Sequence, residues 1–209
     1  MNRFFDIDGP VYKWGTEIAD FMILSILWLV CSIPIFTIGA STTALFYVLG
    51  KKVRKEDTYV FKPFFKSFKE NFLQATIITI ILAIVWFSSY LYYEILVSGK
   101  AKTWVKIMGL FSIIQVMIFT MYVFPILSRF HMTTKNLIMN SFILGNRHIL
   151  STALCGLLFI GFIIMLTSLS PFSVFSFGLY ALLSSFIFQR IFTKHIELMA
   201  KEKEKQADK

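Results

Sequence analysis

The sequence predicts an all-α fold: a polytopic transmembrane helical bundle with amphipathic interfacial helices. Three observations predict it. Hydrophobic residues make up 56% of the 209 positions and charged residues only 16%, where a soluble domain carries about a quarter charged. Uncharged apolar runs recur at lengths that cross a bilayer. The basic residues fall in the gaps between those runs. A soluble chain of this size could not keep 24 Phe side chains and their aliphatic neighbours from water, whereas lipid removes the need.

The first run, Phe21 to Gly50, is uncharged throughout. As a single helix it would be roughly 45 Å long, too long for one crossing of about 30 Å and short for two. Pro34 and Gly39 stand near its middle and argue for a break. Extended to Thr16 and Val53, the run becomes two short segments, about 16–34 and 38–53, with Lys51 and Lys52 snorkelling to the interface. The alternative is one span with a kinked or re-entrant extension. The expectation is therefore six membrane segments, with five as the alternative.

Next comes a basic stretch and then Phe61, Phe64, Phe65, Phe68 and Phe72, which share a helical face by their three- and four-residue spacing. Lys62, Lys66 and Lys69 lie elsewhere on the wheel. This predicts an interfacial helix over about 60–71 lying on lipid headgroups, against the plainer reading of an amphipathic helix docked on protein. Spans follow at about 72–96 and 106–127, both free of charge over their apolar cores. The linker 128–148 is again amphipathic. From Ile149 to Gln189 the chain is uncharged, long enough for two crossings, and Ser170-Pro171 divides it by a tight turn. The last spans are thus about 149–169 and 172–192, and 194–209 is a charged cytoplasmic tail. The whole chain reads as a single integral membrane domain. Glu17 and Asp20, not a dense basic region, precede the first run, and no A-x-A site follows it. The first helix is expected to stay in the mature protein.

Charge sets the orientation. Sixteen Lys and Arg lie in the 51–70 loop, the 128–148 loop and the C-terminal end. With six segments Arg3 and Lys13 join them, giving 18 against 3; with five the division is 16 against 5. Positive residues in short flanks mark the cytoplasmic side, so the C-terminus is cytoplasmic in either case and the N-terminus also in the six-segment case. Trp86, Tyr90, Tyr92, Tyr93 and Trp104 form the expected interfacial belt at the opposite side. The formal net charge of +9 therefore points to anionic lipid headgroups rather than nucleic acid.

Ionisable groups inside membrane segments are candidates for function. Asp20, Glu94 and Arg129 qualify, although all stand near span ends, where interfacial anchoring explains them. The run around Gly39, Ser41, Thr42 and Thr43 can pack helices closely through small residues and hydroxyls, or, if broken after Pro34, can offer backbone groups to a ligand at membrane depth. His131, His148 and His195 are scattered, and neither they nor Cys31 and Cys155 form a metal-ligand pattern. Each cysteine lies in an apolar run, as a small buried hydrophobe does. No nucleophile elbow, P-loop or dinucleotide fingerprint is present, so no catalytic residue, cofactor or metal is expected.

The string Leu29-Val-Cys-Ser-Ile-Pro34-Ile-Phe-Thr37-Ile-Gly39-Ala-Ser-Thr-Thr-Ala44-Leu-Phe-Tyr47-Val48 resembles the hallmark of the YesL-like bacterial membrane proteins, a domain of unknown function. Asp20, Leu24, Trp28 and Leu29 before it, and Phe61 through Phe72 after it, are similar too. Length and span pattern extend the resemblance over nearly the whole chain, with a generic C-terminal half. The resemblance implies a multi-pass protein of the bacterial cell membrane, without an established activity, encoded near sugar ABC transport. It thus implies a non-enzymatic accessory role beside sugar ABC transporter subunits. The alternative is a small stand-alone transporter or channel using the broken helix at 34–44. Oligomeric state is not legible.

Overall fold

A computed structural model of the chain describes residues 10–56, 59–97, 102–167 and 173–207. Among them there is no strand. Seven α-helices run α1 Pro10–Cys31, α2 Ile38–Val53, α3 Phe61–Val97, α4 Thr103–Arg129, α5 Thr134–Arg147, α6 Ile149–Thr167 and α7 Ser173–Ala207, with a 3-10 turn at Ile35–Thr37 between the first two. Five of them, α1, α3, α4, α6 and α7, hold stretches long and apolar enough to cross a membrane. The molecule is a membrane-embedded helical bundle.

The sixth helix of the predicted set, α2, is the centre of the bundle. It has 16 residues, about 24 Å at 1.5 Å per residue, and eleven of them are buried, from Gly39 to Gly50. The long uncharged run does break. Pro34 has an extended backbone (φ −73°, ψ 117°) and cannot donate to a helix. The chain then reverses. Lys52 Nζ reaches Asp20 Oδ2 at 2.6 Å and Glu17 Oε2 at 3.4 Å, and Trp28 Nε1 donates to Thr42 Oγ1 at 3.1 Å. These contacts make α1 and α2 an antiparallel hairpin that starts and ends at one face of the bundle.

Residues 60–71 do not form a separate interfacial helix. They are the opening turns of α3, continuous with the predicted 72–96 span. Phe64 is fully buried and Phe68 packs against the core, because this part of α3 lies along α2 with Ala75 and Thr79 against Gly39. Phe61 and Phe65 face outward, so the five Phe are divided between protein and surroundings. Beyond Thr79, α3 runs on past the hairpin turn and pairs with α4 from Gly109 to Thr120. Trp86 Nε1 donates to Thr120 Oγ1 at 3.1 Å, and Gly109 allows the Tyr92 ring to lie on the α4 backbone.

The amphipathic linker is α5, which buries Leu137, Ser141, Leu144 and Gly145 and docks on α4 through Phe119 stacked on Phe142 (5.0 Å). Helices α6 and α7 close the bundle. Trp28 stacks on Phe177 at 4.1 Å, Tyr122 meets Phe188 edge-on at 5.1 Å, and Tyr122 and Thr152 share a buried hydroxyl hydrogen bond of 2.8 Å. The turn expected at Pro171 lies outside the described residues. The charged tail continues α7 as helix to Ala207.

Candidate functional site at the basic end of the bundle

The small-residue segment builds a joint. Gly39 is buried, and a Cβ there would stand 2.0 Å from Thr79 Oγ1, 2.7 Å from Phe124 Cε1 and 2.9 Å from the Ala75 carbonyl oxygen. Only glycine allows α3 and α4 to approach α2 this closely. Ser41 and Thr43 donate back to the carbonyls of Thr37 and Gly39, at 3.0 and 2.8 Å. Thr42 accepts from Trp28. Thr37, absent from the sequence-derived candidates, ties the turn. Its hydroxyl lies 2.6 Å from both the Cys31 and Pro34 carbonyl oxygens, so its one proton is shared between the last turn of α1 and the bend. Pro34 itself is exposed.

The charged candidates separate. Asp20 pairs with Lys52, whose side chain is only 14% exposed. Glu94 is exposed and accepts from Tyr90 Oη one turn before it, at 3.0 Å. Arg129 belongs to a different place: a cavity of about 220 Å³ between the ends of α2 and α4 and the middle of α7. The sequence marks Lys51 only as an interfacial residue and singles out neither Arg54 nor Gln189, yet all three line this cavity with Arg129, Ser128 and Ser185.

The end of α2 shapes it. The Lys55 N–H donates to the Lys52 carbonyl (2.9 Å) and the Glu56 N–H to the Lys51 carbonyl (3.1 Å). These two bonds are a Schellman ending, which needs a left-handed residue between them. Lys55 takes that conformation at φ 59°, where a residue with a Cβ is strained and glycine is not. The ending turns Glu56 back so that Arg54 Nε donates to Glu56 Oε1 at 2.6 Å, with Lys51 Nζ 3.9 Å from the other oxygen. Hydrogen bonding to Arg54 holds the Glu56 carboxyl below its ordinary range. Lys51 also lies over the Tyr47 ring, 5.1 Å from its centre.

Residues 21–93 match the model of a protein family of unknown function, DUF624. The match spans the second half of α1, the joint at Gly39, the α2 ending and most of α3. It covers the stretch that carries the YesL-like resemblance, and the generic C-terminal half lies outside it. Of the cavity, Lys51 and Arg54 fall within the DUF624 stretch, whereas Arg129 and Gln189 come from helices beyond it. No curated protein and no solved structure matches the chain.

Proposed function

We propose that this chain is a non-enzymatic accessory protein of the bacterial cell membrane, working beside the subunits of a carbohydrate ABC transporter. The observation that supports an accessory role over transport by the chain alone is the close packing of the broken segment at Gly39, with the cavity of about 230 Å³ beside Ile38 and Thr42 lined mainly by aromatic and aliphatic side chains. Gly39 has no free space, and Ser41 and Thr43 are fully buried with their hydroxyl protons on their own helix. Transporters that unwind a helix at a substrate site leave backbone groups facing a cavity; here the bend is held by Thr37 and its neighbours pack against aromatic rings. The carbohydrate context comes from the YesL-like resemblance. The cytoplasmic placement of both termini comes from the charge distribution, and the α1–α2 hairpin supports it for the N-terminus.

Two measurements test the proposal. Purification from native membranes in mild detergent is expected to recover sugar-permease subunits with the chain, and liposomes holding the chain alone are expected to take up no sugar. Uptake by the purified chain that Asp20→Asn abolishes would replace the accessory reading with the stand-alone transporter.

A further inference from the structure

We propose that the cavity between the ends of α2 and α4 and the middle of α7 binds a phosphate ester that carries hydroxyl groups, either as a lipid headgroup or as a small soluble molecule. Charge gives the first half of that assignment. Lys51, Arg54 and Arg129 converge there against one carboxylate, Glu56. Arg129 makes no ion pair among the described residues. Arg54 engages Glu56 through Nε, which leaves its terminal nitrogens for an added anion. Guanidinium groups in this state match phosphate oxygens in geometry as well as in charge.

The neutral groups give the second half. Gln189 donates through Nε2 to the Gly50 carbonyl at 3.3 Å, which fixes its amide. Its Oε1 is then buried without a hydrogen-bond partner, and an acceptor in that state calls for a donor. Ser128 and Ser185 spend their protons on the carbonyls of Pro125 and Ala181, at 2.7 Å each, so toward the cavity they too offer oxygen lone pairs. A bare anion would satisfy the cations and leave these acceptors unmet. A phosphate flanked by hydroxyls satisfies both.

Size agrees. A volume of about 220 Å³ is below the span of drug-sized ligand sites and equals roughly seven water volumes. It suits a phosphate with a few attached atoms. The cavity also stands at the basic end of the bundle, at the level where anionic headgroups meet Lys and Arg side chains.

The test uses the full chain in phosphatidylcholine nanodiscs, with and without phosphatidylglycerol. Bound lipid is read by native mass spectrometry, and soluble binding by titration with glycerol 3-phosphate. Retention of phosphatidylglycerol without glycerol 3-phosphate binding identifies the lipid source; glycerol 3-phosphate binding in its absence identifies the soluble one. In either case Arg129→Gln is expected to weaken binding about tenfold or more, as loss of a charged hydrogen bond does. Glu56→Gln, which removes the competing carboxylate, is expected to tighten it. Binding of neither probe, or binding that both substitutions leave unchanged, overturns the proposal. Because Glu56→Gln is expected to gain affinity, misfolding of a variant cannot imitate the result.

Discussion

The same substitution at two glycines is expected to change stability in opposite directions. Gly39→Ala puts a methyl 2.0 Å from Thr79 Oγ1 and 2.9 Å from the Ala75 carbonyl oxygen. Thr79 cannot simply rotate away, because its hydroxyl donates to that same carbonyl at 2.7 Å. Overpacking a filled core costs about 1–3 kcal/mol, and loss of the Thr79 bond adds about 1 kcal/mol. Helix propensity returns at most about 1 kcal/mol for glycine to alanine. The net expectation is a loss of about 1–3 kcal/mol. At Gly156, in the interior of α6, a Cβ meets nothing within 4 Å. Only the propensity term remains, and Gly156→Ala is expected to gain up to about 1 kcal/mol. Thermal unfolding of both variants in one detergent, followed by circular dichroism, measures the difference. Equal shifts, or a stabilised Gly39→Ala, would refute the close packing of α2 against α3.

Three further outcomes are expected. Lys55→Gly relieves the left-handed φ and is expected to raise stability by about 1 kcal/mol; a loss in the same unfolding assay would contradict the Schellman ending. Thr152→Val strands Tyr122 Oη and the Gly145 carbonyl, which Thr152 Oγ1 meets at 2.8 Å each, whereas Tyr122→Phe removes only one partner. Thr152→Val is therefore expected to be the more damaging, by about 1 kcal/mol, and the reverse order would disprove the network. His148 is held below its ordinary range by burial first, then by the positive charges of Arg147, Lys194 and His195. A depressed histidine contributes stability above its unfolded pKa of about 6.5 and loses it as pH falls through its folded value. An NMR titration midpoint at or above 6.5 would remove that contribution.

Much of the fold was legible because lipid imposes a simple rule: a crossing needs a long uncharged run, and these runs stand out. The break at Pro34 was legible for the same reason, since proline cannot continue the ladder. The extent of α3 was not. Lys62, Lys66 and Lys69 look interfacial on a wheel, but a helix can carry lysines on one face while Phe64 and Phe68 pack on α2, and the wheel does not say what the apolar face meets. The site was less legible still. Asp20 is partnered by Lys52, 32 positions away, and Arg129 shares a cavity with Arg54 and Gln189 across three helices. Such convergence depends on helix crossing, which local pattern does not encode. One signal was present: Lys51 and Arg54 at the end of α2 and Arg129 in the last turn of α4 stand on the side the charge rule groups together.

Helices α1 and α2 form a hairpin, so that the start of α1 and the end of α2 share one face of the bundle, and the proposed orientation makes that face cytoplasmic. Single cysteines in place of Trp14 and Tyr59, both exposed at 72% and 90%, test it in a background where Cys31 and Cys155 are serine. With a membrane-impermeant maleimide, both positions are predicted to label only after the cells are permeabilised. Labelling of Trp14→Cys in intact cells while Tyr59→Cys stays protected would mean that the 21–50 run crosses once, and the hairpin would be wrong.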